Sequence, residues 1–129
     1  MAKKAIVPTK NVYTAKGYSH AVRVGPLLIT AGIVAHDAEG RIVGKGDIAA
    51  QVEQVYHNLG AVLNSADLGF EDVVKITIFT TNVLFRPVIM EARRKYFPVD
   101  PPASTFFVVT SLSTADQLVE IEAIAAIKE

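Results

Sequence analysis

Two glutamates pose the chemical question in this sequence. The closing stretch, Leu118 to Ile127, reads LVEIEAIAAI, and its strict alternation is that of a β-strand. Val119, Ile121, Ala123, Ala125 and Ile127 share one face. Leu118, Glu120, Glu122, Ile124 and Ala126 share the other. Two carboxylates thus stand about 7 Å apart on an otherwise apolar strand face. Burial and like charge raise a carboxyl pKa, and such a group accepts and then donates a proton near neutral pH. The same pattern also suits a solvated strip of sheet with cationic neighbours, and the spacing leaves both readings open. A strand this apolar is expected in the middle of a sheet, because an exposed edge would recruit other chains.

The remaining candidates are fewer. His20 is two residues from Tyr18, on the same strand face, where it can act as a proton carrier; a polar residue at a strand start is the plainer account. His57 lies opposite the apolar stripe of a helix and His36 beside a turn. No histidine pair has ligand spacing, so no metal site is expected. Arg93, Arg94 and Lys95 make a short basic run that reads as a solvated helix face. Arg23 can add positive charge to a cleft only if it points there. Ser104 has no adjacent His–acid pair to activate it as a nucleophile.

Composition narrows the classes. The 129 residues suit a single domain, 1–129, and half are hydrophobic, so a packed core is expected. Thirteen basic residues balance thirteen acidic ones for a formal net charge of zero, which offers no footprint for nucleic acid or an anionic membrane. There is no cysteine, hence no thiolate chemistry and no disulfide, in keeping with a cytoplasmic protein. The opening MAKKAIVPTK lacks the apolar run of a signal peptide, and no apolar run approaches the ~20 residues of a membrane span.

Several elements must position the glutamates. Residues 1 to 11 read as an extended lead-in. Tyr18–Val24 and Leu27–Ala31 alternate around Gly25-Pro26, a hairpin. Gly32 marks a close backbone approach. A turn at 37–40 leads into a short strand, Arg41–Val43. Asp47 caps a helix whose stripe is Ile48, Val52, Val55, Leu59 and Val62, and Gly69 is expected to end it. VVKITIFT, 73–80, is a strand. A second helix begins near Arg86 with Pro87 in its first turn. Thr105–Val109 is a strand, and the acidic strand closes the list. The order β-β-β-α-β-α-β-β predicts an α+β fold: a six-stranded mixed sheet with two helices on one face. The face left bare predicts self-association.

The stretches YSHAVRVG (18–25), LLITAG (27–32), DIAAQVEQVYHNLGAVL (47–63), FEDVVKITIF (70–79), PPAST (101–105) and VEIEAIA (119–125) together resemble the RidA/YjgF family. The resemblance spans nearly the whole chain. It implies a chorismate-mutase-like fold, a homotrimer with helices outside a barrel-like core, and three clefts between subunits. It implies hydrolysis of reactive imines and enamines such as 2-aminoacrylate, without metal or organic cofactor. It places Glu120 at the water-positioning glutamate, Tyr18 at a cleft-lining tyrosine, and Gly32 at a ligand-binding backbone.

Three departures stand out. The deaminase branch has Pro-Ala-Arg-Ser where this chain has Pro102-Ala103-Ser104-Thr105, so Ser104 replaces an arginine that grips the substrate carboxylate. Ala31-Gly32-Ile33 stands in place of Ser-Gly-Gln, putting Ile33 at a polar position. Met90 replaces an asparagine. The expectation is a small-molecule cleft built for a less anionic ligand, with weak or no 2-aminoacrylate turnover. Three functions follow: an imine or enamine hydrolase, a non-catalytic metabolite-binding or regulatory protein using the same cleft, and RNA cleavage, which the neutral charge disfavours.

Overall fold

The computed structural model describes residues 3–128. Six strands, β1 (Ala5–Ile6), β2 (Ala21–Val24), β3 (Leu27–Thr30), β4 (Val73–Thr80), β5 (Ala103–Val108) and β6 (Val119–Ala126), form one sheet. Two helices, α1 (Ile48–Ser65) and α2 (Arg86–Tyr96), accompany it. The sheet order is β1-β2-β3-β6-β4-β5. Only β4 and β5 run parallel; the other pairs are antiparallel. The acidic strand β6 therefore lies centrally, between β3 and β4, as its apolar alternation predicts.

The helices cover one face of this sheet. Asp47 caps α1, its Oδ1 accepting from the Ala50 N–H at 3.1 Å, which satisfies one of the free donors of the first turn. Val52, Val55, Leu59 and Val62 are all buried, as the stripe predicts. Burial of each such side chain stabilises by roughly 1.5–3 kcal/mol. Pro87 stands at the start of α2, where its missing N–H costs nothing. Tyr56 of α1 and Tyr96 of α2 stack at 4.4 Å, which ties the two helices together.

Two local expectations are corrected. Arg41–Val43 is not a strand: Ile42 makes a single bridge to His36. The carboxylate of Asp37 accepts from the Glu39 and Arg41 N–H groups, at 3.0 Å each, and Gly40 turns at φ +81°. The segment closes on itself and never reaches the sheet. The sixth strand is β1, which pairs Ala5 with Arg23 and Ile6 with Val22. Nor does Gly69 end α1. The helix stops at Ser65, and Asp67 takes the left-handed conformation at φ +60°. Gly69 instead donates its N–H to Asp72 at 2.8 Å and opens a short 3-10 turn. Among the described residues, no helix is long and apolar enough to cross a membrane.

Candidate functional site

A β-bulge shapes the site. Ile29 pairs with Ile124 and Ile33 with Ile121, so β3 and its continuation take four steps where β6 takes three. The extra residue pushes the chain out at Thr30–Gly32. The Thr30 hydroxyl accepts from the Ala123 N–H at 2.9 Å and so replaces the lost backbone partner. Ala31 donates to the His20 carbonyl at 2.8 Å.

Gly32, on this bulge, supports Glu120. A Cβ on Gly32 would lie 2.6 Å from both the Glu120 Cδ and Oε2. Only a glycine leaves that space, so the close approach expected at Gly32 is made by the Glu120 side chain. Burial pushes the Glu120 carboxyl above its ordinary value, and the like charge of Glu122 adds to the rise. Glu120 is half-buried while Glu122 is exposed.

A cleft of about 490 Å³ opens over this carboxylate. Tyr13 and Tyr18, the Ala31-Gly32 bulge, and His36, Thr114 and Gln117 line it, with the His36 ring edge-on to Tyr13 at 5.4 Å. The Tyr13 hydroxyl accepts from the Val34 N–H at 3.1 Å. Burial raises its pKa, as do the nearby Tyr18 hydroxyl and Glu120. Tyr18, about half-exposed, is also raised, first by burial and then by Glu120, with the Tyr13 hydroxyl working against them. Both phenols stay protonated and can donate at neutral pH.

The segments that carry His36 and Gln117 are held from α1. Gln51 donates to the Gly44 and Asp116 carbonyls, at 3.1 and 2.8 Å, and accepts from the Leu118 N–H at 2.9 Å. Asn58 donates to the Val34 and His36 carbonyls at 2.9 Å each. Gln117 meets the His36 ring Nε2 at 3.1 Å. Burial lowers the His36 pKa despite Asp37 beside it. The sequence reading missed Tyr13, Lys16, Gln51, Asn58 and Gln117. One signal was available: Gln51 and Asn58, seven residues apart, interrupt the apolar face of α1.

The match to the family model described as Endoribonuclease L-PSP covers residues 8–127. A RutC family protein of Pyrococcus abyssi is 34% identical over 125 residues, 97% of this chain and 98% of the relative. The 2-iminobutanoate/2-iminopropanoate deaminase of Mus musculus is 31% identical, over 95% of this chain and 90% of the relative. The solved structure of a conserved Rid family protein from Yersinia pestis is 34% identical, with a TM-score of 0.91 and coverage of 97% and 100% of the two chains. The chain belongs to the RidA/YjgF family.

Seven residues were expected at the site, six from the RidA/YjgF resemblance and His20 from its spacing to Tyr18, and the structure separates them. Glu120, Tyr18 and Gly32 share the cleft. Ile33 does not line it: its side chain is fully buried and its N–H and carbonyl bond Ile121 at 2.9 and 3.0 Å. Met90 is likewise packed in the core beneath the sheet. His20 is buried behind the tyrosines, edge-on to Tyr13 at 5.0 Å and to Tyr18 at 5.9 Å. Its Nδ1 meets the Thr9 hydroxyl at 3.0 Å, its Nε2 has no partner, and burial lowers its pKa. It supports the tyrosine wall from behind rather than facing the cleft.

Ser104 stands on the edge strand, paired with Ile76, on the helix side of the sheet. Its hydroxyl accepts from Arg93 Nη1 at 2.9 Å, and it lines a second cleft with Arg93 and Arg94. Within one chain the sheet separates it from Glu120, which pairs with Phe79 on the open face. Arg23, in β2, is exposed and outside the cleft. His57 is exposed on α1, as expected. Among the described residues no cluster of three or more His, Asp or Glu could hold a metal ion.

Proposed function

We propose that the protein is a homotrimeric deaminase that hydrolyses small reactive imines or enamines. The observation that carries this reading is Glu120, a half-buried carboxylate of raised pKa, seated on Gly32 beside two phenol donors. The name of the mouse relative supports the substrate class. Glu120 takes a proton from water as the water oxygen bonds to the imine carbon, and the C=N π electrons move to nitrogen. The carboxyl returns that proton to the nitrogen, giving a carbinolamine. It then takes the carbinolamine hydroxyl proton and passes it to the same nitrogen as the C–N bond breaks, so that the oxygen electrons form the carbonyl and NH3 leaves. Tyr13 and Tyr18 hydroxyls are placed to donate to the ligand while this happens.

Trimerisation is part of the proposal. Ile29, Phe107 and Tyr18 are exposed apolar groups at 38%, 50% and 49%, and both Ile29 and Phe107 lie on the face the helices leave bare. Sedimentation equilibrium should give three times 13.9 kDa; a stable monomer at micromolar concentration would remove the trimer and any cleft built across it. Because Ser104 replaces the carboxylate-gripping arginine, 2-aminoacrylate turnover is expected to be weak. A cleft with one exposed lysine suits a small ligand better than the polyanionic backbone of RNA.

Ammonia release from 2-iminobutanoate, generated in place from the amino acid, tests the activity. Glu120→Gln keeps the shape but not the base, and should lower the rate by about 10²–10⁴-fold with assembly intact. Full activity in that variant would remove Glu120 from the chemistry, and no ammonia release by wild type would favour the non-catalytic binding reading.

A further inference from the structure

The Glu120 cleft contains a cation as well as an acid. Lys16 lines it together with Tyr18 and Glu120. Gly17, between Lys16 and Tyr18, turns at φ +81°, a conformation other residues rarely adopt. That turn brings both side chains to the same cleft. His36, the other basic group there, is kept neutral by burial and meets Gln117. Among the described residues, Lys16 is thus the one permanent positive charge lining the cleft, and Glu120 the one acid.

The two charges do not neutralise each other. Lys16 forms no ion pair among the described residues. Glu120 feels burial and Glu122, with no counter-effect from Lys16. A cation and a proton-carrying carboxyl therefore stand apart in one cleft, each free to meet a different part of a ligand. Lysine presents a mobile point charge rather than the fixed fork of an arginine. It holds a carboxylate without fixing its plane.

We propose that Lys16 is the anion-recognition residue of this cleft, so that its ligand is a small carboxylate-bearing compound whose reactive carbon lies toward Glu120. This rests on the reading of the cleft as the substrate site. It replaces the expectation, drawn from Ser104, of a less anionic ligand. The carboxylate is held by one point contact, so the grip is weaker than a bidentate one.

Binding measured by titration calorimetry tests this, with 2-oxobutanoate as the probe and its neutral amide as the control. Wild type should prefer the carboxylate by about tenfold, with the preference falling as salt rises. Lys16→Met should abolish the preference and Lys16→Arg should keep most of it. In turnover, Lys16→Met should raise KM for a carboxylate imine and leave kcat unchanged. An unchanged preference in Lys16→Met, its loss in Arg93→Met instead, or no preference in wild type would each overturn the proposal. Lys16-dependent binding without imine hydrolysis would uphold this inference and overturn the deaminase reading. Hydrolysis with a Lys16-independent KM would do the reverse.

Discussion

The two faces of β6 are built from the same strand for opposite purposes. On the helix side, Val119, Ile121, Ala123 and Ala125 are all at most 2% exposed, and each only fills space. On the open side, Glu120 and Ile124 are half-buried and Glu122 and Ala126 exposed. The first face tolerates no polarity, because α1 seals it from water. The second keeps a carboxylate at the edge of water, where partial burial raises its pKa without silencing it. The period of two along one strand lets a rigid core hold a reactive group from behind.

The largest difference between the faces should appear in stability. Ile121→Ala removes a fully buried side chain from the sealed face, which should cost about 2–5 kcal/mol. Ile124→Ala, three residues on and half-buried, should cost the isolated chain distinctly less. Urea unfolding of both variants checks this, and equal losses would mean the open face is sealed as tightly as the other.

Gly32→Ala should reverse that pattern. The added methyl would sit 2.6 Å from the Glu120 carboxyl. The obstacle is the far end of a flexible side chain, so the fold yields cheaply while the carboxylate moves. A displacement near 1 Å can cost about 10²-fold in rate. The expected result is a folded, assembled protein with little activity; normal turnover would detach Glu120's position from catalysis.

Much of this was legible in the chain. The alternation of β6, the Gly25-Pro26 hairpin, the Asp47 cap and the α1 stripe are local patterns, and each forms as its period dictates. Glu120 and Gly32 were legible as separate oddities; their contact was not, because it depends on a one-residue bulge between β3 and β6. A slip of one residue turns a side chain to the other face. The position of Ile33 followed from a matched motif, but its burial is settled by the bridge to Ile121. The cleft walls at Tyr13, Lys16, His36 and Gln117 lie on irregular segments with no period to read. The two-residue β1 is a strand only because β2 offers it an edge.

The smallest effect concerns pH, and the open face should reveal it. Glu120 has a folded pKa above its ordinary value of 4.5. The folded chain therefore holds that proton more tightly than the unfolded one. The stabilisation this gives is fully present below 4.5 and is lost as pH rises through the raised value. Glu120→Gln does not titrate, so its stability relative to wild type should improve as pH rises from 4.5 through the raised value. His20 runs the other way. Burial lowers its pKa below 6.5, so its contribution is present above 6.5 and lost as pH falls through the lowered value. His20→Asn should flatten only that acidic limb. Urea midpoints across the range for wild type and both variants separate the two groups. A Glu120→Gln variant that loses ground to wild type as pH rises would show that the carboxylate is stabilised by a partner in the folded protein, and that the open face is not the desolvating surface described above.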